Sequence, residues 1–87
     1  VNICGVLVHA RPGLAATVRR LAEALPGVEV HHVGADDRLV LTVEDRPGAP
    51  AGDTLLALHR IEGVVAAALT YHHFEPDEGT DDAAVQA

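Results

Sequence analysis

Proline–glycine pairs at Pro12-Gly13, Pro26-Gly27 and Pro47-Gly48 cut this sequence into short runs. Proline cannot supply the backbone donor that a continuing helix or ladder needs, and the glycine after it readily takes positive φ. Each pair is therefore a place where the chain turns back. Eighty-seven residues so interrupted are read as one small domain built from brief elements.

Ile3-Cys4-Gly5-Val6-Leu7-Val8-His9 is an apolar, β-favouring run that reads as a strand. Leu14, Val18, Leu21 and Leu25 then recur at helical spacing, with Arg19, Arg20 and Glu23 on other faces, and Pro26-Gly27 ends that helix. Val28-Glu29-Val30-His31-His32-Val33 starts with strict alternation and reads as a half-buried strand. Gly34-Ala35-Asp36-Asp37 is turn chemistry, and Arg38 to Glu44 is the next strand, so the two form a hairpin. Pro50 suits the first turn of a second helix carrying Ala51, Leu55 and Leu58 on one stripe. After Gly63, Val64 to His73 reads as a long last strand.

The order strand, helix, strand, strand, helix, strand with short connections predicts an α+β chain of the ferredoxin-like βαββαβ type. Its four-stranded antiparallel sheet would carry both helices on one face. The domain is expected to span residues 1–74. Residues 75–87 are expected to form a disordered acidic tail, because five acids (Glu75, Asp77, Glu78, Asp81, Asp82) stand there with no base. The preceding residues hold eight acids against six arginines, so the domain itself is only mildly acidic.

Composition removes several functions. The formal charge of −7 and the presence of Tyr71 and Phe74 as the only aromatics leave neither the cations that neutralise phosphates nor a stacking platform, so no nucleic-acid partner is expected. No apolar run approaches the ~20 residues of a membrane-spanning helix, and no basic stretch precedes an apolar one at the start, so a cytoplasmic location is expected. Cys4 is the single cysteine, which rules out an intrachain disulfide and a thiolate cluster for zinc. Serine is absent, and there is neither a phosphate-binding loop nor an H-E-x-x-H pattern. No catalytic residue and no cofactor are expected. The doublets His31-His32 and His72-His73 invite a metal reading, but neighbours on a regular strand point to opposite faces, so neither doublet chelates by itself. No metal site is expected.

A sheet with both helices on one side has a bare side, and strand parity says what lines it. Cys4, Val6 and Val8 oppose Ile3, Gly5, Leu7 and His9. Leu39, Leu41 and Val43 oppose Val40, Thr42 and Glu44. Val65, Ala67, Leu69 and Tyr71 oppose Ala66, Ala68, Thr70 and His72. In the hairpin strand and the last strand the first-named set is larger and more apolar and is assigned to the core. In the first strand the sets are nearly equal, but Gly5 and His9 suit an outer surface better. This leaves an open strip of Leu7, Val40, Ala66 and Ala68, with Gly5 and Thr70 between and Glu29 and Glu44 at its margins. Such a surface suits a helix that is apolar on one side and basic at one end. Weak oligomerisation through the same face is the other use such a surface has, and parity does not choose between them. On this assignment Leu69 is a core residue whose truncation should cost ~2–5 kcal/mol.

Three stretches carry a family resemblance. Val1-Asn2-Ile3-Cys4-Gly5-Val6-Leu7-Val8-His9-Ala10 resembles the first strand of NapD proteins. Leu25-Pro26-Gly27-Val28-Glu29-Val30 resembles their first-helix-to-second-strand turn, and Ile61 to His72 resembles their closing "E-G-V…Y-H" strand. The second helix is the poorest match. The resemblance implies a non-enzymatic, cytoplasmic maturation chaperone. Its partner would be the twin-arginine signal peptide of the molybdenum subunit of periplasmic nitrate reductase, held back from export until the cofactor is inserted. It also implies that the peptide sits as a helix on the open face, which carries over to Gly5, Leu7, His9, Ala66, Ala68, Thr70 and His72. Val40, Thr42 and Glu44 join that set by parity. The rival is a stand-alone small-molecule sensor domain, since amino-acid-binding regulatory domains share this topology.

Overall fold

A computed structural model describes residues 1–74, so the expectation of a disordered tail lies outside the described residues. The elements are β1 (Asn2–Ala10), α1 (Ala15–Glu23), β2 (Val28–Val33), β3 (Arg38–Glu44), α2 (Ala51–His59) and β4 (Val64–Phe74). The strands form one sheet in the order β2-β3-β1-β4, with every neighbouring pair antiparallel. This is the expected βαββαβ arrangement, and it places β1 and β3 at the centre and β2 and β4 at the edges.

The central strands show why a small aliphatic core suffices. Val6, Val8, Leu39, Leu41 and Val43 are all fully buried, and they alternate with partly or fully exposed neighbours over most of each strand. Both helices cover that side. α1 buries Ala15, Val18 and Ala22, while Leu21, placed on its stripe by spacing, is 40% exposed. Small residues at two of the three buried positions let the helix sit close to the sheet. α2 buries Ala51, Thr54 and Leu58, with Leu55 only partly buried. The buried Thr54 hydroxyl lies 3.4 Å from the Pro50 carbonyl, its partner one turn back.

The turn after α1 explains one of the Pro-Gly pairs. Gly27 has φ +78°, and a Cβ there would run into the Glu44 backbone carbonyl oxygen. The close approach is used, because Glu44 N–H donates to the Gly27 carbonyl at 2.9 Å.

Asp45 ties three elements together. One carboxylate oxygen accepts the Ala51 N–H at 2.7 Å, capping α2, whose preceding residue Pro50 offers no capping side chain. The other accepts from Asn2 N–H at 2.8 Å and Asn2 Nδ2 at 2.9 Å. Asn2 Oδ1 in turn accepts from His72 Nε2 at 2.7 Å. The bonds from Ala51, and then from Asn2, hold the Asp45 carboxyl below its ordinary range. A depressed carboxyl stabilises the fold above its unfolded-state value and loses that contribution as pH falls through the folded one. Tm is therefore expected to fall as the pH drops below about 4, and Asp45→Asn to flatten that acid limb while lowering Tm at neutral pH. An acid limb of unchanged size in Asp45→Asn would contradict this.

Candidate functional site

Opposite the helices the sheet is bare, and the register defines its lining. Ile3, Gly5, Leu7 and His9 of β1 pair with Glu44, Thr42, Val40 and Arg38 of β3. On the other side Leu7 pairs with Ala68 and His9 with Ala66. Leu7, Val40, Ala66 and Ala68 thus form one contiguous apolar strip, as parity implies. Val40 is 44% exposed although it is a large apolar residue on a central strand. Covering the part still in water would release somewhat under half of the ~1.5–3 kcal/mol that full burial of such a side chain yields, so the strip is a surface with something to gain from a partner.

The edge strands depart from simple parity because each carries bulges. In β4 the register skips Thr70, between Gly5↔Tyr71 and Val6↔Leu69, and skips Val65 at the other end. An extra residue in one strand reverses the alternation beyond it. Tyr71 therefore lies on the open face, where a Cβ on Gly5 would collide with its ring and with the Thr70 hydroxyl. Both Thr70 and Tyr71 stand beside Gly5 on the open side. Placing Tyr71 with the core was incorrect, and so was placing Val65 there, since it is 65% exposed at the second bulge. His72 is corrected in the opposite direction. It pairs with Cys4, on the helix side, and its imidazole bonds Asn2, so it belongs to the Asp45 network and not to the open-face set. Leu69 pairs with Val6 and does face the helix side, yet it is 57% exposed because the helices leave that flank of β4 uncovered. Its truncation should cost about 1 kcal/mol or less, not the value of a buried leucine.

A third bulge, in β2, falls at His31, between Val30↔Leu41 and His32↔Val40. His31 Nε2 lies 2.9 Å from the Thr42 hydroxyl, and His32 pairs with Val40. Both members of the doublet thus stand on the open side, against the expectation that they face apart. They still recruit no third donor: no cluster of three or more His, Cys, Asp or Glu side chains placed to hold a metal occurs among the described residues. Prolonged chelation is expected to leave Tm unchanged, and a stoichiometric metal retained through purification would contradict that. Burial, and then the nearby Asp45 charge, push the Cys4 thiol above its ordinary value, so it is a packed core group with little thiolate to react.

Of the expected site residues, Gly5, Leu7, His9, Val40, Thr42, Glu44, Ala66, Ala68 and Thr70 share the open face, and His72 does not. Ile3 and Tyr71 join them. Tyr71 was missed because its size suggests core; the available signal was Gly5, since a glycine inside a strand marks a close approach by something opposite. No helix among the described residues is long and apolar enough to cross a membrane.

Among solved structures, the chain resembles the solution structure of the E. coli Tat proofreading chaperone protein NapD. The TM-score is 0.72 at 26% sequence identity, over 93% of this chain and 85% of that one. No curated protein matches it. The family model for NapD protein matches residues 1–76, which takes in every element of the sheet and both helices, and the chain therefore belongs to the NapD family.

Proposed function

We propose that this protein is a maturation chaperone that binds the twin-arginine signal peptide of the catalytic subunit of a periplasmic nitrate reductase. It acts in the cytoplasm and keeps the precursor from export until the molybdenum cofactor is in place. It does so by occupancy, without chemistry of its own. The observation that carries this reading is the open sheet face. Its centre is apolar, its alanines keep it shallow, Tyr71 and Thr70 cover Gly5, and its polar residues lie towards the ends. An amphipathic helix laid on such a face exchanges two wetted apolar surfaces for one dry contact, and the small side chains let its backbone come close. The residues proposed to touch it are Gly5, Leu7, His9, Val40, Thr42, Glu44, Ala66, Ala68 and Thr70, together with Ile3 and Tyr71. Family membership supports the partner, because the relative of known structure is a Tat proofreading chaperone.

Calorimetric titration with twin-arginine signal peptides tests this. Saturable one-to-one binding that weakens when the arginine pair is replaced is the expected result, and absence of binding to every nitrate reductase signal peptide tried would contradict it. The proposed working unit is residues 1–74. Truncation after Phe74 is expected to leave both Tm and peptide affinity unchanged, and a large loss of either would assign the tail a role in the domain.

A further inference from the structure

Resting on the peptide-binding reading above, we propose that the open face sets the direction of the bound helix. Its basic N-terminal end lies over Glu29 and Glu44, its axis runs parallel to β1, and its C-terminal end lies towards His9 and Arg38. Signal peptides carry their positive residues ahead of the apolar stretch, and a helix adds positive character at its N-terminus and negative at its C-terminus. The ligand is thus a rod with two unlike ends, and the surface has unlike ends too.

Glu29 pairs with Thr42, and Glu44 pairs with Ile3, so both carboxylates stand on the open face at the end where β1 begins. Diagonal neighbours of this kind lie ~7–8 Å apart, close enough for one arginine pair to reach both. Glu44 shares its charge with Arg46 at 3.7 Å across an exposed pair, whereas Glu29 has no ion pair among the described residues. At the other end Arg38 pairs with His9, and His32 lies beside Val40. Arg38 contacts Asp36 at 3.4 Å with both side chains more than half exposed, which leaves much of the guanidinium free to meet helix carbonyls.

The dimensions agree. Arg38 and Glu44 are the first and last residues of the seven-residue β3, hence about 20 Å apart at ~3.3 Å per residue. About thirteen helical residues at a rise of ~1.5 Å cover that distance. Between the ends lie the apolar strip and the uncharged hydroxyls of Thr42, Thr70 and Tyr71, with the His31 ring against Thr42, and no carboxylate or guanidinium among the described residues. In the reverse direction the arginines would meet Arg38, and the carbonyl end of the helix would meet two carboxylates.

The test uses the full chain, isotopically labelled, and a twin-arginine signal peptide carrying a nitroxide at one end or the other. The N-terminal label is expected to broaden the amide signals of Glu29, Thr42 and Glu44, and the C-terminal label those of His9, Arg38 and Ala66. A second arm measures affinity. Glu29→Lys should weaken binding roughly fivefold or more, and a peptide with its two arginines replaced by glutamates should recover part of that loss against Glu29→Lys alone. The opposite broadening pattern, or equal broadening of both ends by each label, would overturn the direction while leaving the docking face standing. Broadening confined to the helices would overturn the docking face itself, and the direction with it.

Discussion

Leu41→Ala is expected to destabilise the domain by ~2–5 kcal/mol, the cost of lost burial plus an incompletely collapsed cavity. Leu41 is fully buried in the middle of central strand β3, flanked by Val6 on one side and Val30 on the other, and it faces the helices. Domains hold only ~0.05–0.15 kcal/mol of net stability per residue, so this single truncation removes a large share of the total. The drop in Tm should be at least about 8 °C, scaled from domains of this size. Affinity per folded molecule should not change, because the side chain points away from the open face. Chemical denaturation and titration on the same sample check both parts, and a stability loss under about 1 kcal/mol would contradict the core assignment.

Ala68→Glu is expected to do the reverse. Ala68 is exposed, pairs with Leu7, and lies between the two bulges of β4, where the register is regular. Its new carboxylate would stand in water in the free protein, so stability should shift by no more than ~0.5 kcal/mol. With a helix docked, the same charge would be desolvated against apolar side chains without a partner. Affinity should fall at least about tenfold, equivalent to ~1.4 kcal/mol. The adjacent Leu69→Ala should leave binding intact. If Ala68→Glu unfolds the domain, Ala68 belongs to the core and the face assignment is inverted; if it leaves affinity untouched, the peptide does not dock on this face.

The contrast between central strand β3 and edge strand β4 shows what the sequence could and could not reveal. The element order was legible because Pro-Gly pairs and period changes are local signals. Along β1 and β3 parity separated the faces as well, because a central strand is held in register on both sides and a one-residue slip would expose its whole core set. Leu39, Leu41 and Val43 against Val40, Thr42 and Glu44 is the plain case. The edge strands have a partner on one side only, so an extra residue disturbs a single ladder, and bulges gather there. His31, Val65 and Thr70 are such residues, and nothing in their chemistry announces a bulge. Each slip moved what followed: His31 and His32 came to one face, Tyr71 moved to the open side, and His72 moved to the helix side. Exposure was likewise not legible from facing, because Leu69 looks towards the helices but the short α2 does not reach over it. The open face read from sequence was therefore correct at its centre and wrong at both ends of β4 and at the His31-His32 doublet of β2.

An NMR titration of the isotopically labelled protein with an unlabelled twin-arginine signal peptide tests most directly where the peptide sits. The largest amide shifts should fall on Gly5, Leu7 and His9 of β1, Val40 and Thr42 of β3, and Ala66, Ala68 and Tyr71 of β4. The outer surface of α1 and the exposed side of α2 at Leu56 and Arg60 should stay nearly unmoved. Shifts concentrated on the helices, with the sheet face undisturbed, would contradict the central claim.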